Sequence, residues 1–383
     1  MQPVTRRGFV EAVGAATGFT ALSPTDDLAT VTVAPERTVH LSGDGVAITP
    51  GEYTALLDAL CRKVTPAQDT YLLGGEVEAF ERHWAQLLGK EAAVFMPSGT
   101  LANQLALRAL ASTRRRVIVP EMSHIYNDTG DACQTLSALT LIPLAPGTAT
   151  FTRADVEAVL ARTAGGRVAT DVGAIVIESP IRRLTGQMFD WDEARRISAL
   201  ARERGIGMHL DGARLFIASA YTGIAPSEYA AAFDTVYVSL WKYFNCGIGS
   251  ILAGPKRVLD GMFHVRRMFG GNLAVGWPAA LVARHYMDGF LDRLTNAVHV
   301  SEAFYGAMAR HPMVAVERIS NGTNLARITI KTADPTVVAR RLADRGVLLP
   351  AATAGGVITL GVNETWNRTT AADLVQAFAQ ALA

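Results

Sequence analysis

The stretch VYVSLWKYFNCGIGSILAG, residues 236–254, sets one lysine among apolar neighbours. A β-type run (Val236, Tyr237, Val238) leads to Lys242, and a Gly-x-Gly step leads on to a second run at Ile251 and Leu252. Burying an ammonium group is costly and pulls its pKa down. That cost is understandable if the amine must be neutral and nucleophilic, as a Schiff-base lysine is. The same pattern also suits a lysine that snorkels away from a strand end, so the choice rests on the rest of the chain.

Upstream lies GMHLDGARLF, residues 207–216, where Asp211 directly follows a short apolar run. A carboxylate there can pair with a protonated ring nitrogen, or cap the helix that follows. Further upstream is MPSGTLANQLAL, residues 96–107, a strand passing through Ser98-Gly99-Thr100 into a helix. Free N–H groups and the helix dipole make such a turn an anion cradle, although Ser98 or Thr100 could equally be an ordinary N-cap. All three features fall at the ends of expected strands, where an open parallel sheet binds ligands. A phosphate cradle, a carboxylate for a pyridinium nitrogen and a lysine for an aldehyde are together the parts that pyridoxal phosphate requires.

The 383 residues suffice for about two domains, and 49% hydrophobic content supports a large core. With 36 basic against 35 acidic residues, nothing points to nucleic acid as a partner. Cys61, Cys133 and Cys246 are too few and too scattered for a disulfide framework or a zinc site, and no metal is expected. The N-terminus carries Arg6-Arg7 before a weakly apolar Ala/Gly-rich run, the pattern of a twin-arginine export signal. A ragged amphipathic helix is the alternative. Glu11 and the short length exclude a stable membrane span there. The expected location is therefore exported, periplasmic or extracellular, and otherwise cytoplasmic.

Helical spacing predicts helices over 51–63, 74–89, Thr100 to Leu110 and Asp192 to Arg204. Short apolar runs predict strands at 93–96, 117–119, 174–177, 207–210, 236–239 and 251–253. This alternation implies an α/β fold with a mainly parallel sheet. Beyond Trp277 one long helix is expected through His299, then a small α+β unit with strands at 326–330 and 357–361. The expected division is a signal over 1–30, an N-terminal segment over 31–50, a large cofactor-binding domain over 51–280 and a small C-terminal domain over 281–383.

The combination resembles the threonine aldolase and β-eliminating lyase family of fold type I, in the aspartate aminotransferase superfamily. The carriers are the stretch around Asp69-Thr70-Tyr71, GKEAAVFMPSGTLANQLAL, HLDGARLF, SLWKYFNCGIGS and RRMFGGN. The resemblance implies pyridoxal 5'-phosphate as cofactor and a residue-by-residue set of roles. Gly99, Thr100 and the Leu101 N–H would hold the phosphate, with Ser239 touching it. His124 would stack on the pyridine ring, Asp211 would bind its nitrogen, and Lys242 would take its aldehyde. Arg214 would bind the substrate carboxylate.

Three positions depart from the family pattern. Its Glu-Asn-Thr-His segment is here Glu178-Ser179-Pro180-Ile181, without the histidine. Its C-terminal carboxylate-binding arginine has no counterpart in VITLGVNE, residues 357–364, and its arginine after the glycine run is Ala274. Arg182 or Arg183 is therefore expected to bind the substrate anion. The resemblance implies Cα–Cβ cleavage of a β-hydroxy amino acid. A β-eliminating lyase, an aminotransferase on another amine, or a cofactor-binding protein without lyase activity remain open. It also implies a homodimer or homotetramer, in which the segment His264 to Phe269 could reach a neighbour's phosphate.

Overall fold

Strands follow the short apolar runs and helices their cap signals. The structure is a computed structural model describing residues 38–331, 334–353 and 355–383, so the expected export signal lies outside the described residues. In chain order the strands are β1 (Val39–His40), β2 (Ala92–Met96), β3 (Arg116–Pro120), β4 (Thr140–Leu144), β5 (Val172–Glu178) and β6 (Gly207–Asp211). After them come β7 (Thr235–Ser239), β8 (Ser250–Gly254), β9 (Val314–Arg318), β10 (Leu325–Ile330), β11 (Val347–Leu348) and β12 (Val357–Gly361).

The main sheet has seven strands in the order β2-β8-β7-β6-β5-β3-β4. Only β8 runs against the others. Every residue of β5 and β7 is buried, which explains their unbroken apolar runs, since a parallel strand covered on both faces has no polar side to alternate. The helix Gly99–Ala111 packs across β5 to β8. Ser98 caps it through Leu101 N–H at 3.3 Å, so Gly99 begins the helix at the sheet's carboxyl edge. Thr49 and Glu52 form a capping box that starts the helix Pro50–Val64.

The long helix expected after Trp277 is two helices, Trp277–Met287 and Phe290–Met308. Asp288-Gly289 breaks it, with Gly289 at φ 67°, a left-handed backbone that glycine adopts without penalty. A second, antiparallel sheet, β12-β10-β9, carries its own core around Phe304, Trp366 and Phe378. The short β1 pairs in parallel with β11. From there residues 41–45 run back toward the main sheet, tied by Asn363 Nδ2 to the carbonyls of His40 and Ser42 at 3.1 and 2.9 Å.

Candidate active site

The carboxyl edge of the main sheet collects the chemistry. Register places Glu178, Asp211 and Tyr237 side by side on β5, β6 and β7. Next to them Ser239, Ser250 and Met96 form a row across β7, β8 and β2. Gly99 faces this row so closely that a Cβ on it would lie 2.1 Å from the Tyr237 hydroxyl; only glycine lets the helix start there. Ser239 Oγ is buried, with the Tyr237 hydroxyl as its neighbour.

Lys242 lies three residues past β7 in an irregular turn and is half-buried. Burial lowers its pKa, and the Arg214 guanidinium lowers it further; Asp211, Asp44 and Glu178 act against both. These five side chains are thus close enough to feel one another. The turn is held from below by an aromatic cluster. Tyr243 stacks on Phe290 at 5.2 Å, and Phe244 meets Phe216, Trp84 and Phe290 edge-on. Each such pair contributes about 0.5–1.5 kcal/mol beyond its buried area.

Asp211 is buried and accepts hydrogen bonds from Asn103 Nδ2 at 2.7 Å and from Ala213 N–H at 3.2 Å. The next helix, Leu215–Thr222, is not capped by it. Glu178 is also buried, and its carboxyl accepts from the backbone N–H of His124 at 2.6 Å and of Arg182 at 3.3 Å. Burial, then the neighbouring Asp211 carboxylate, pushes Glu178 up to about 8. The bond from His124 N–H anchors the start of the His124–Asn127 helix and the bond from Arg182 N–H holds the loop after β5, so both are tied to this edge.

The arginines differ in their surroundings. Arg214 gives Nε and Nη2 to one oxygen of Asp44 at 2.9 and 2.8 Å, and both side chains are 12% exposed. Asn324 Nδ2 holds the other Asp44 oxygen at 3.2 Å. Arg183 forks onto Asp128 at 3.1 and 2.6 Å on the surface, while Arg182 is exposed. In the segment His264 to Phe269, Arg266 is buried and donates to the Phe95 carbonyl at 2.5 Å. Arg267 instead lies 5.4 Å over the exposed Tyr71 ring. The sequence reading did not single out Asp44, Asn103 or His209.

The profile of the beta-eliminating lyase family matches residues 55–340. The chain belongs to the beta-eliminating lyase family. Among solved structures, a candidate L-allo-threonine aldolase from Listeria monocytogenes EGD-E is similar over 90% of this chain and 95% of its own, with 26% identity and a TM-score of 0.74. A low-specificity L-threonine aldolase from Candida albicans is 31% identical over 56% of this chain and 57% of its own. An aldolase from Penicillium aethiopicum is 33% identical over 61% and 58%. The chain therefore spans under two thirds of the length of these two curated relatives.

The residues at the edge fit the cofactor this family implies. The tight Gly99 turn at a helix N-terminus and the buried Ser239 hydroxyl offer donors to a phosphate. The buried Asp211 offers a carboxylate and Lys242 a primary amine biased toward its neutral form. No cluster of metal-ligating side chains occurs among the described residues. No helix among them is long and apolar enough to cross a membrane.

Proposed function

We propose that this protein is a pyridoxal phosphate-dependent lyase of the threonine aldolase type, cleaving Cα–Cβ of a β-hydroxy amino acid. The observation that carries the reading is the meeting of Lys242, with its lowered pKa, with Asp211 and Arg214 on the sheet edge where the Gly99 helix begins. Pyridoxal phosphate, when bound, supplies an electron sink for a bond broken at Cα. Lys242 holds its aldehyde and Asp211 its ring nitrogen. Gly99, Thr100, Leu101 and Ser239 hold its phosphate, and His124 covers its ring.

Arg214 anchors the substrate carboxylate. Asp44 takes one edge of the guanidinium, which leaves the Nη1 end to make a bidentate pair. Arg182, exposed and beside His124, supplies the second contact that fixes which Cα bond breaks; Arg183 is engaged by Asp128. Pro180-Ile181, standing where the family has its histidine, favours a second reading in which the same site performs β-elimination or transamination. Incubating the loaded protein with L-allo-threonine and L-threonine tests the first reading. Acetaldehyde and glycine in equal amounts support it; a keto acid supports the second, with ammonia for elimination and without it for transamination.

The proposed assembly is a homodimer or a homotetramer. Tyr71, Leu73, Met268 and Val275 are large, exposed and apolar, and the Tyr71 N–H bonds the Ala274 carbonyl at 2.9 Å, which brings part of this surface together. Export through Arg6-Arg7 is also proposed, and mass spectrometry of the N-terminus of protein recovered outside the cytoplasm tests it.

A further inference from the structure

Behind Asp211 a line of buried polar side chains crosses three elements. Asn103, on the helix Gly99–Ala111, donates Nδ2–H to Asp211 Oδ2 at 2.7 Å. His209 Nε2 lies 2.9 Å from Asn103 Oδ1, and His209 Nδ1 lies 2.8 Å from Thr235 Oγ1. None of the four residues is more than 2% exposed, so water cannot replace a lost partner. His209 and Asp211 are two residues apart on β6 and share a face, while Thr235 is the register partner of His209 on β7.

The hydrogens have one consistent arrangement. Asn103 faces a carboxylate, so its NH2 must point there and only its carbonyl remains for His209. His209 must therefore carry its hydrogen on Nε2. Burial lowers its pKa to about 4, against the Asp211 charge and a Thr235 backbone contact that raise it, so the ring is neutral; with the hydrogen on Nε2, Nδ1 accepts from the Thr235 hydroxyl. With the hydrogen on Nδ1 instead, Nε2 and Asn103 Oδ1 would oppose lone pairs. Asn103 would then turn over and set its carbonyl against the carboxylate. A leucine at position 209 would fill the core without any such constraint, and the imidazole is costly to bury unless its two bonds are used.

We propose that His209, backed by Thr235, is a positioning residue that locks the Asn103 amide and thereby fixes the Asp211 carboxylate for the cofactor's ring nitrogen. The inference rests on the cofactor reading above, and concerns residues that touch neither substrate nor cofactor. It ties the helix that begins at the phosphate cradle to the strand carrying the carboxylate, so the two ends of the cofactor are located by one network.

The test uses the full chain with His209→Leu and His209→Gln. Gln can place an amide N–H near the position of Nε2, whereas Leu cannot donate. The readouts are the pyridoxal phosphate dissociation constant, the pH dependence of the loaded protein's visible absorbance, and imidazole 15N NMR of the unloaded protein. The wild type should show the Nε2–H tautomer. His209→Leu should weaken cofactor binding about tenfold or more and move the absorbance titration, as expected for a buried acceptor left unpaired, while His209→Gln should stay within about threefold of wild type. Equal loss in both variants would mean that the ring only fills space and would overturn the proposal. Wild-type behaviour of His209→Leu, or an Nδ1–H tautomer in the wild type, would overturn it too. If His209→Leu does not fold, Thr235→Val keeps the volume and removes the hydroxyl. Nε2 then keeps its hydrogen, because Asn103 still requires it, while the Nδ1 resonance should shift on losing its donor; an unchanged spectrum contradicts the relay. Failure of the wild type to take up pyridoxal phosphate would overturn the cofactor reading, and the unloaded-protein spectrum would still judge the hydrogen-bond direction.

Discussion

Asp44 is the residue whose importance is least visible locally. It comes from the start of the described chain to meet Arg214, 170 positions away, and no spacing rule connects them. Replacing it with Asn removes the charge that steers the guanidinium; the expected outcome is a Michaelis constant raised about tenfold at an unchanged amount of bound cofactor, read by steady-state kinetics. Glu178 gives a pH signature. Its folded form holds a proton to about 8 that the unfolded chain releases near the ordinary value of about 4.3. Its contribution to stability is present below the unfolded value and is lost as pH rises through the folded one. Burial of His209, lowered to about 4, acts the other way, but only below its ordinary value of about 6.5. Thermal melts of the unloaded protein between these limits should show the wild type losing stability toward pH 8, and Glu178→Gln losing less. Parallel curves would remove the raised value from the account. Lys242, Asp211 and Gly99 were legible because each lies at or just past a strand end. His209 and Asn103 carried a signal that was open to reading. One sits two residues before Asp211 on the same strand face, and the other sits one helical turn after Gly99.

At the scale of elements, the strands of the large sheet were legible because buried apolar runs stop at Pro, Gly, Ser or Asp. β4 and β9 were missed for the opposite reason. Both lie at sheet edges, and β4 has no fully buried residue; Pro143 interrupts the apolar run of β4 and Glu317-Arg318 cut short that of β9. The Asp288-Gly289 break was written in the sequence as a turn dipeptide and lost inside a long periodic pattern. The segment 41–45 falls within the N-terminal segment 31–50, for which the sequence predicted no helix or strand, yet it bears directly on the Lys242 turn. A Cβ on Gly45 would lie 2.5 Å from the Lys242 carbonyl and 2.3 Å from Asn245 Oδ1. Gly45→Ala should therefore push the turn aside at a cost of about 1–3 kcal/mol. Both the melting temperature and cofactor retention should fall; a fully loaded, unshifted variant would show that the strap does not set the turn.

For the molecule as a whole, the two cores meet at the site, with Asp44 held by Arg214 from the large sheet's side and by Asn324 beside β10. The exposed apolar side chains Tyr71, Leu73, Met268 and Val275 give the assembly its test. Leu73→Asp with Val275→Asp should lower the sedimentation coefficient toward that of a monomer; an unchanged coefficient would place any interface elsewhere. The claim on which the rest depends is that Lys242 carries the cofactor. The chain has five lysines, Lys63, Lys90, Lys242, Lys256 and Lys331, so a chemical label can discriminate among them. Borohydride reduction of the pyridoxal phosphate-loaded protein, followed by peptide mapping, should find one cofactor per chain, fixed to Lys242. A label on any other lysine, or none at all, would contradict the account.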